Sequence, residues 1–253
     1  MWPPALALAA GIGLWQASAS LGWADAWTLP SPASVAAEAL KADTRERLAE
    51  HTGATLRLTM LGFAGGAAAG FALAALLHLL PGLRRGLSPL LILSQNVPMV
   101  VLAPIMTMLF GYGMLPKILL VMLVCFFPVT VATLGGLAGG DEALRNYMRM
   151  IGCGRWTLFW RLELPGAVTG LFSGLKIAAS YSVLSATFAE MLSPKTGLGG
   201  FMVLSTRGYM QERAFAAVIL IVALSLALYG LISLAERAFT RWRPRKEAAE
   251  RDA

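Results

Sequence analysis

Six apolar runs of about the length that crosses a membrane divide the chain, and they constrain its fold more than any other feature. They cover residues 5–23, 52–78, 88–110, 116–137, 167–190 and 214–235. A helix needs roughly 20 residues to cross the hydrocarbon core, and its backbone polar groups must be satisfied internally there. The runs therefore predict an all-α, polytopic membrane bundle of six transmembrane helices.

The composition agrees with a membrane protein and argues against a soluble domain and against a nucleic-acid-binding protein. Hydrophobic residues make up 57% of the chain and charged residues 14%, against roughly 25% charged in soluble proteins. The net charge of +7 could suggest nucleic acid, but the basic residues collect in loops and at the C-terminus rather than on one amphipathic surface. Cys125 lies in an apolar run and Cys153 in a polar loop, so we predict neither a disulfide nor a metal site.

The first run allows two interpretations. Ala17-Ser18-Ala19 resembles a signal-peptide cleavage site, but no Lys or Arg precedes the apolar residues, which favours a retained helix. We divide the chain into a first helix with its outer connection (1–51), a membrane domain (52–240) and a basic cytoplasmic tail (241–253).

The one long polar run between apolar segments is residues 141–165. Asp141 can cap a helix, Gly152 and Gly154 allow a break, and Pro165 biases Leu164 away from helical geometry. We expect a helix, a glycine turn, a second short helix and a proline stop, which press against something outside the bilayer. The expected apolar faces are Leu144, Met148 and Ile151 on the first helix and Trp156, Phe159 and Trp160 on the second.

Basic residues set the orientation of the spans. With the N-terminus inside, twelve Lys and Arg residues lie on the cytoplasmic side, against seven outside and two within spans. This bias predicts that both termini and the 141–165 segment are cytoplasmic.

Small and polar residues inside the spans suggest packing faces and a solute path. Gly62, Gly66 and Gly70 form a small-residue stripe typical of close helix packing, as do Gly166, Gly170 and Gly174. Amide groups are rare at membrane depth, so they indicate either a substrate path or hydrogen bonds between helices. With the aromatic residues they make the candidates Gln95, Asn96, Phe126, Phe127 and Tyr181.

The polar loop resembles the cytoplasmic signature of type I ABC importer permeases. Gly152, then Leu162, then Leu164-Pro165 match its second half, whereas Asn146 stands where the family has a glutamate. "Gln95-Asn96-Val97-Pro98" and Gly197-Leu198-Gly199 after Glu190 are similar to the nitrate, sulfonate and taurine branch. The resemblance covers about residues 29–240 and adds Pro98 and Glu190 to the path candidates.

That resemblance implies a permease subunit of the bacterial inner membrane, with a coupling helix that docks in an ATPase. The implied ATPase-coupling residues are Arg145, Arg149, Gly152, Gly154, Arg155, Trp156, Phe159, Trp160, Leu162, Leu164 and Pro165. No span carries a phosphate-binding GxxxxGK[ST] loop, so ATP and Mg²⁺ belong to a partner and the chain holds no cofactor. Its implied partners are two cytoplasmic ATPase subunits, a second permease copy, an extracytoplasmic binding protein and the bilayer, without nucleic acid.

More than one substrate, and more than one class of membrane protein, remain open from the sequence. The branch handles small solutes such as nitrate, sulfonates and taurine. "Tyr112-Gly113-Met114-Leu115-Pro116-Lys117" and Phe126-Phe127-Pro128 are more similar to relatives that handle pyrimidine or flavin-type vitamin precursors. A secondary transporter would need an internal repeat, which is not visible. An intramembrane hydrolase built on Ser173 and His78 would lack the glycine that such a site carries two residues before its serine.

Overall fold

The computed structural model describes residues 2–22, 28–94 and 97–240. All regular structure within those ranges is helical. In chain order the helices are α1 (Trp2–Ser20), α2 (Pro32–Leu40), α3 (Ala42–Leu79), α4 (Pro81–Ser94), α5 (Met99–Phe110), α6 (Met114–Ala138), α7 (Glu142–Met150), α8 (Arg155–Leu158), a π-helical turn (Phe159–Glu163), α9 (Leu164–Leu192), α10 (Leu198–Arg207) and α11 (Gln211–Phe239).

Four of the described helical stretches have the length and apolar composition needed to cross a bilayer. They are α3, α6, the continuous stretch Arg155–Leu192, and α11. Helix α5 is apolar but shorter, and α1 forms where the first span was expected. The all-α bundle predicted from the apolar runs is confirmed.

Helix α6 lies between α3 and α9 in the centre of the bundle. A Cβ placed on Gly70 of α3 would lie 2.7 Å from the carbonyl oxygen of Phe126, and one on Gly170 of α9 would lie 2.8 Å from that of Ala132. The glycines therefore let both backbones approach α6 closely, as the small-residue stripes predicted. Buried Val121 and Val129 of α6 fill the core between them.

The two ends of the bundle are fixed by contacts of α3. Its last turn carries His78, which contacts Glu163 beside α7, while Thr55 contacts Glu190 at the end of α9. These two α3 residues are 23 positions apart, which is about 35 Å along a helix. The contacts thus mark two ends separated by about the thickness of a bilayer; we name the one that carries residues 141–165, the segment expected to couple to a partner, the coupling end.

Helix α2 and the first turns of α3 form a small layer at the opposite end. Glu38 of α2 pairs with Arg213 of α11 at 2.8 Å and also with Lys41. Trp15 of α1 donates its indole N–H to the Pro30 carbonyl at 3.1 Å and packs against Phe215. The described part of the segment 24–51 therefore forms α2 and the first turns of α3, and α2 packs against α1 and α11.

The third expected span, residues 88–110, is wrong as a single helix. Helix α4 ends at Ser94, and α5 begins at Met99 with Pro98 as its N-cap in an extended conformation. Proline lacks the backbone N–H and disfavours helical geometry in the residue before it. Pro104, by contrast, remains inside α5.

Candidate functional site

The polar segment forms α7, a capped helix on the surface of the coupling end. The Asp141 carboxylate accepts a hydrogen bond from the Leu144 backbone N–H at 3.1 Å, and Glu142 lies in the first turn. The Asp141 cap was predicted from the sequence. No residue of α7 is buried, and Met150 is 79% exposed.

Exposed apolar side chains occur on α7, directly after it, on α8 and on the π-helical turn. We call this set the docking patch. Trp156 of α8 is 63% exposed. Contiguous exposed apolar groups on a folded protein mark interaction surfaces. Arg149 and Arg155 are exposed beside them. The docking patch consists of Leu144, Tyr147, Met150, Ile151, Trp156 and Trp160.

The turn between α7 and α8 requires one of its two glycines. Gly152 has φ +83°, where a side chain would be strained, and its N–H donates to the Arg149 carbonyl at 3.0 Å. Gly154 is the N-cap of α8 with φ −68°, and a Cβ there would meet nothing within 4 Å. The glycine break is confirmed for Gly152, whereas the structure shows no steric need for glycine at Gly154.

Pro165 does not stop the second helix, so that prediction is wrong. Leu164 is helical, with φ −65° and ψ −49°, and its N–H bonds to the Phe159 carbonyl five residues earlier. Pro165 has no N–H to donate, and its pyrrolidine ring needs space next to the preceding turn of helix. The π-helical turn is wider than an α-helical turn and lies immediately before Pro165, so it provides that space. The chain therefore runs from α8 into α9 without a break.

The expected apolar side of the second helix is divided between two environments. Phe159 is 3% exposed and packs with Leu137 and Ala167, whereas Trp156 and Trp160 face outward. Leu162, Leu164 and Pro165 are half-buried. Phe159 thus anchors the segment to the bundle, and the two tryptophans remain free for contact.

A buried ionic cluster joins α7 to the spans, and sequence reasoning missed its central residue. Glu163 in the π turn has a side chain only 7% exposed; its Oε1 lies 3.1 Å from Arg145 Nε, and its Oε2 lies 2.7 Å from His78 Nε2. Arg145 also donates to the Leu137 carbonyl at 3.3 Å. Arg145 was expected to face a partner, but its side chain turns inward and is 18% exposed. We call Arg145, Glu163 and His78 the ionic cluster.

Some of the predicted path residues meet at a cavity of about 550 Å³ between α5, α6 and α9. Phe127 and Tyr181 line it, and so do Val97 and Met99 on either side of Pro98. Gln95 and Asn96 lie outside the described residues. Phe126 contacts Phe127 edge-on at 5.1 Å between ring centroids but points to another hollow beside Gly66. We call the first space the apolar cavity.

Glu190, the remaining path candidate, is held inside the protein at the opposite end. It is 2% exposed and accepts hydrogen bonds from the Thr55 hydroxyl at 2.9 Å and the Gly199 N–H at 3.0 Å. The Leu198 N–H donates to Thr55 Oγ1 at 2.8 Å. Gly197 has φ +95°, and a Cβ there would collide with the Glu190 carboxylate. Glu190 therefore fixes the loop between α9 and α10 onto α3.

Comparison with known proteins identifies the class to which this geometry belongs. Residues 62–241 match the family described as "Binding-protein-dependent transport system inner membrane component". The riboflavin transport system permease protein RibX of Chloroflexus aurantiacus is 30% identical over 90% of this chain and 85% of its own. The taurine transport system permease protein TauC of Escherichia coli is 32% identical over 76% of this chain and 70% of its own.

A solved structure supports the fold independently. The MetNI methionine ABC transporter, in inward facing conformations, superposes with a TM-score of 0.65 at 19% identity, covering 74% of this chain and 93% of that chain. The chain belongs to the family of inner membrane components of binding-protein-dependent transport systems, the permease subunits of type I ABC importers.

Proposed function

We propose that the docking patch seats in a cytosolic ATPase subunit and that this chain transmits the ATPase's motion to a solute path. ATP and Mg²⁺ are bound and ATP is hydrolysed in that separate subunit. Two ATPase subunits serve two copies of this chain, which pair as a homodimer, and a binding protein delivers the solute from outside. Both termini lie in the cytosol, as the excess of basic residues on that side favours.

The observation that carries this proposal is the ionic cluster. An exposed helix can transmit force only if it is firmly attached to the helices that must move. Glu163 holds Arg145 of α7 and His78 of α3 while standing on the helical stretch that continues into α9. The Arg145–Glu163 charge pair, in so buried a place, interacts strongly and resists separation. A displacement of α7 therefore displaces α3 and α9 with it.

The solute path is proposed to run along the apolar cavity. Its lining is apolar and aromatic, and none of the described lining residues is charged. A path for a small organic solute, as in the sulfonate and taurine branch, fits the similarity to TauC. The aromatic lining by Phe127 and Tyr181 specifically favours a heterocyclic solute of pyrimidine or flavin type, in accord with the similarity to RibX.

Reconstituted transport tests the proposal. The chain is placed in liposomes with its ATPase and binding protein, and uptake of radiolabelled riboflavin, a pyrimidine and taurine is measured. Uptake that requires ATP and the binding protein, and that survives collapse of the ion gradients, supports it. Uptake that follows an ion gradient without ATP would make the chain a secondary transporter and overturn the proposal.

A further inference from the structure

A second cavity, of about 420 Å³, lies at the opposite end of the bundle and differs from the apolar cavity in charge. Arg57 of α3, Lys117 of α6 and Lys195 of the loop after α9 all line it. Arg57 precedes His78 of the ionic cluster by 21 residues, about 30 Å of helix. When the coupling end lies at the inner surface, this cavity opens at the outer surface. We call it the basic cavity.

The cations of the basic cavity are poorly neutralised. Lys117 Nζ donates to the Ser193 carbonyl at 3.1 Å. Arg57 and Lys195 are exposed, and neither forms an ion pair with any described residue. Like charges that converge on one space repel, and a bound anion relieves that repulsion.

The single carboxylate of the lining, Glu190, does not fill this role. It is buried, and its oxygens accept hydrogen bonds from the Thr55 hydroxyl and the Gly199 N–H. Three cations against one carboxylate leave a net charge of +2 when all four groups are ionised. The exposed Tyr112 side chain at the rim supplies a neutral O–H donor.

We propose that the basic cavity is a binding site for a small oxyanion, a sulfonate, carboxylate or phosphate group presented from the outside. Arg57 and Lys195 contact the anion directly, and Lys117 supplies positive charge from the inner wall. Arg offers a planar pair of donors that suits such oxygens. The inference depends on the proposed function only for the side from which the anion arrives, since binding needs neither ATP nor a partner.

Equilibrium binding of radiolabelled sulfate tests the site. The full chain is purified into lipid nanodiscs, without ATPase or binding protein, and titrated at low ionic strength. We expect saturable binding. The affinity for sulfate should fall tenfold or more in Arg57→Gln and in Lys195→Gln, whereas Lys195→Arg, which keeps the positive charge, should bind as the parent does. Arg207→Gln, which removes an exposed cation of α10 outside the cavity, serves as the matched control and should bind as the parent does. Raising the salt concentration should weaken binding, because exposed cations are screened.

Three results would overturn the proposal. One is the absence of saturable sulfate binding, and another is equal binding by all four variants. The third comes from a separate assay with the binding protein added: Arg57→Gln and Lys195→Gln weaken its capture while leaving sulfate binding unchanged, which would assign the cations to a protein partner. ATP-dependent uptake, measured separately on the same variants, shows whether the proposed function stands when the anion site fails.

Discussion

Arg145 and Glu163 lie 3.1 Å apart, Nε to Oε1, and this pair directly links the surface helix α7 to the helical stretch that continues into α9. Glu163 also contacts His78 of α3, so its carboxylate holds two elements at once. The Arg145 Nε–H is not aimed along a hydrogen bond, so charge attraction is the main interaction in the pair. Removal of the Glu163 charge should therefore weaken the link between α7 and the spans.

Glu163→Gln should uncouple ATP hydrolysis from transport. The substitution leaves Arg145 buried without its counter-charge, which costs about 3–5 kcal/mol of stability. We expect the amount of solute imported per ATP to fall tenfold or more while ATP hydrolysis persists. Glu142→Gln, which changes an exposed acid in the first turn of α7, is the control. Equal transport per ATP in both variants would show that the ionic cluster does not transmit the motion.

Gly66→Ala should disturb the contact of α3 with α6. A Cβ at Gly66 would collide with the Met122 carbonyl oxygen, whereas one at Gly53 of the same helix would meet nothing within 4 Å. We expect Gly66→Ala to cost about 2 kcal/mol through overpacking and Gly53→Ala to cost nothing. Thermal unfolding in detergent measures the difference, and equal unfolding midpoints would refute the close approach of α6.

Thr55→Val should release the loop between α9 and α10. The hydroxyl of Thr55 donates to Glu190 and accepts from the Leu198 N–H, so its loss leaves buried groups unpaired, at about 1–3 kcal/mol. Amide hydrogen exchange over residues 193–207 should speed up. The control is Thr52→Val, because within the described part of the chain the Thr52 hydroxyl bonds only the Leu48 carbonyl of its own helix. Unchanged exchange in Thr55→Val would contradict the role of Glu190 as an anchor.

The attachment of α2 should weaken in acid. Hydrogen bonds from Lys41 and Arg213 lower the pKa of Glu38 from 4.5 to about 2. Because the folded-state pKa is the lower one, the stabilisation is present above pH 4.5 and is lost as the pH falls towards 2. Lys41 is well exposed and solvent screens its charge, so we expect about 1 kcal/mol.

Unfolding midpoints of the parent and Glu38→Gln test this dependence. The parent should be the more stable at pH 7, and the gap should shrink as the pH falls below 4.5. Glu46→Gln, at an exposed acid of α3, should differ little from the parent at either pH. A gap between parent and Glu38→Gln that widens in acid would reverse the sign and refute the ion pairs of Glu38.

The sequence patterns predicted the features that depend on neighbouring residues in the chain, namely the spans and the ends of α7. The apolar runs gave the spans at α3, α6, α9 and α11, and Asp141 and Gly152 marked the ends of α7 because caps and positive-φ turns need particular side chains. Glu163 and His78 stand 85 residues apart, and no periodicity connects them. Their contact depends on how α3 packs beside the π turn, which only the folded chain defines.

Two prolines also show what could not be predicted from residue type alone. The helix is interrupted at Pro98 in the third apolar run. It continues through Pro165, because a π turn precedes that residue. The local preference of proline is identical at both sites. The difference lies in the backbone that comes before it, and a rule based on residue type alone cannot distinguish them.

Cross-linking from Met150 tests the central claim most directly. Met150→Cys, made in a Cys153→Ser background and expressed with the ATPase in inner-membrane vesicles, should form a cross-link to the ATPase subunit that changes in yield when ATP is added. Leu40→Cys, equally exposed at the opposite end, should form none. A cross-link from Leu40→Cys but not from Met150→Cys, or labelling of Met150→Cys only from the periplasm, would contradict the account.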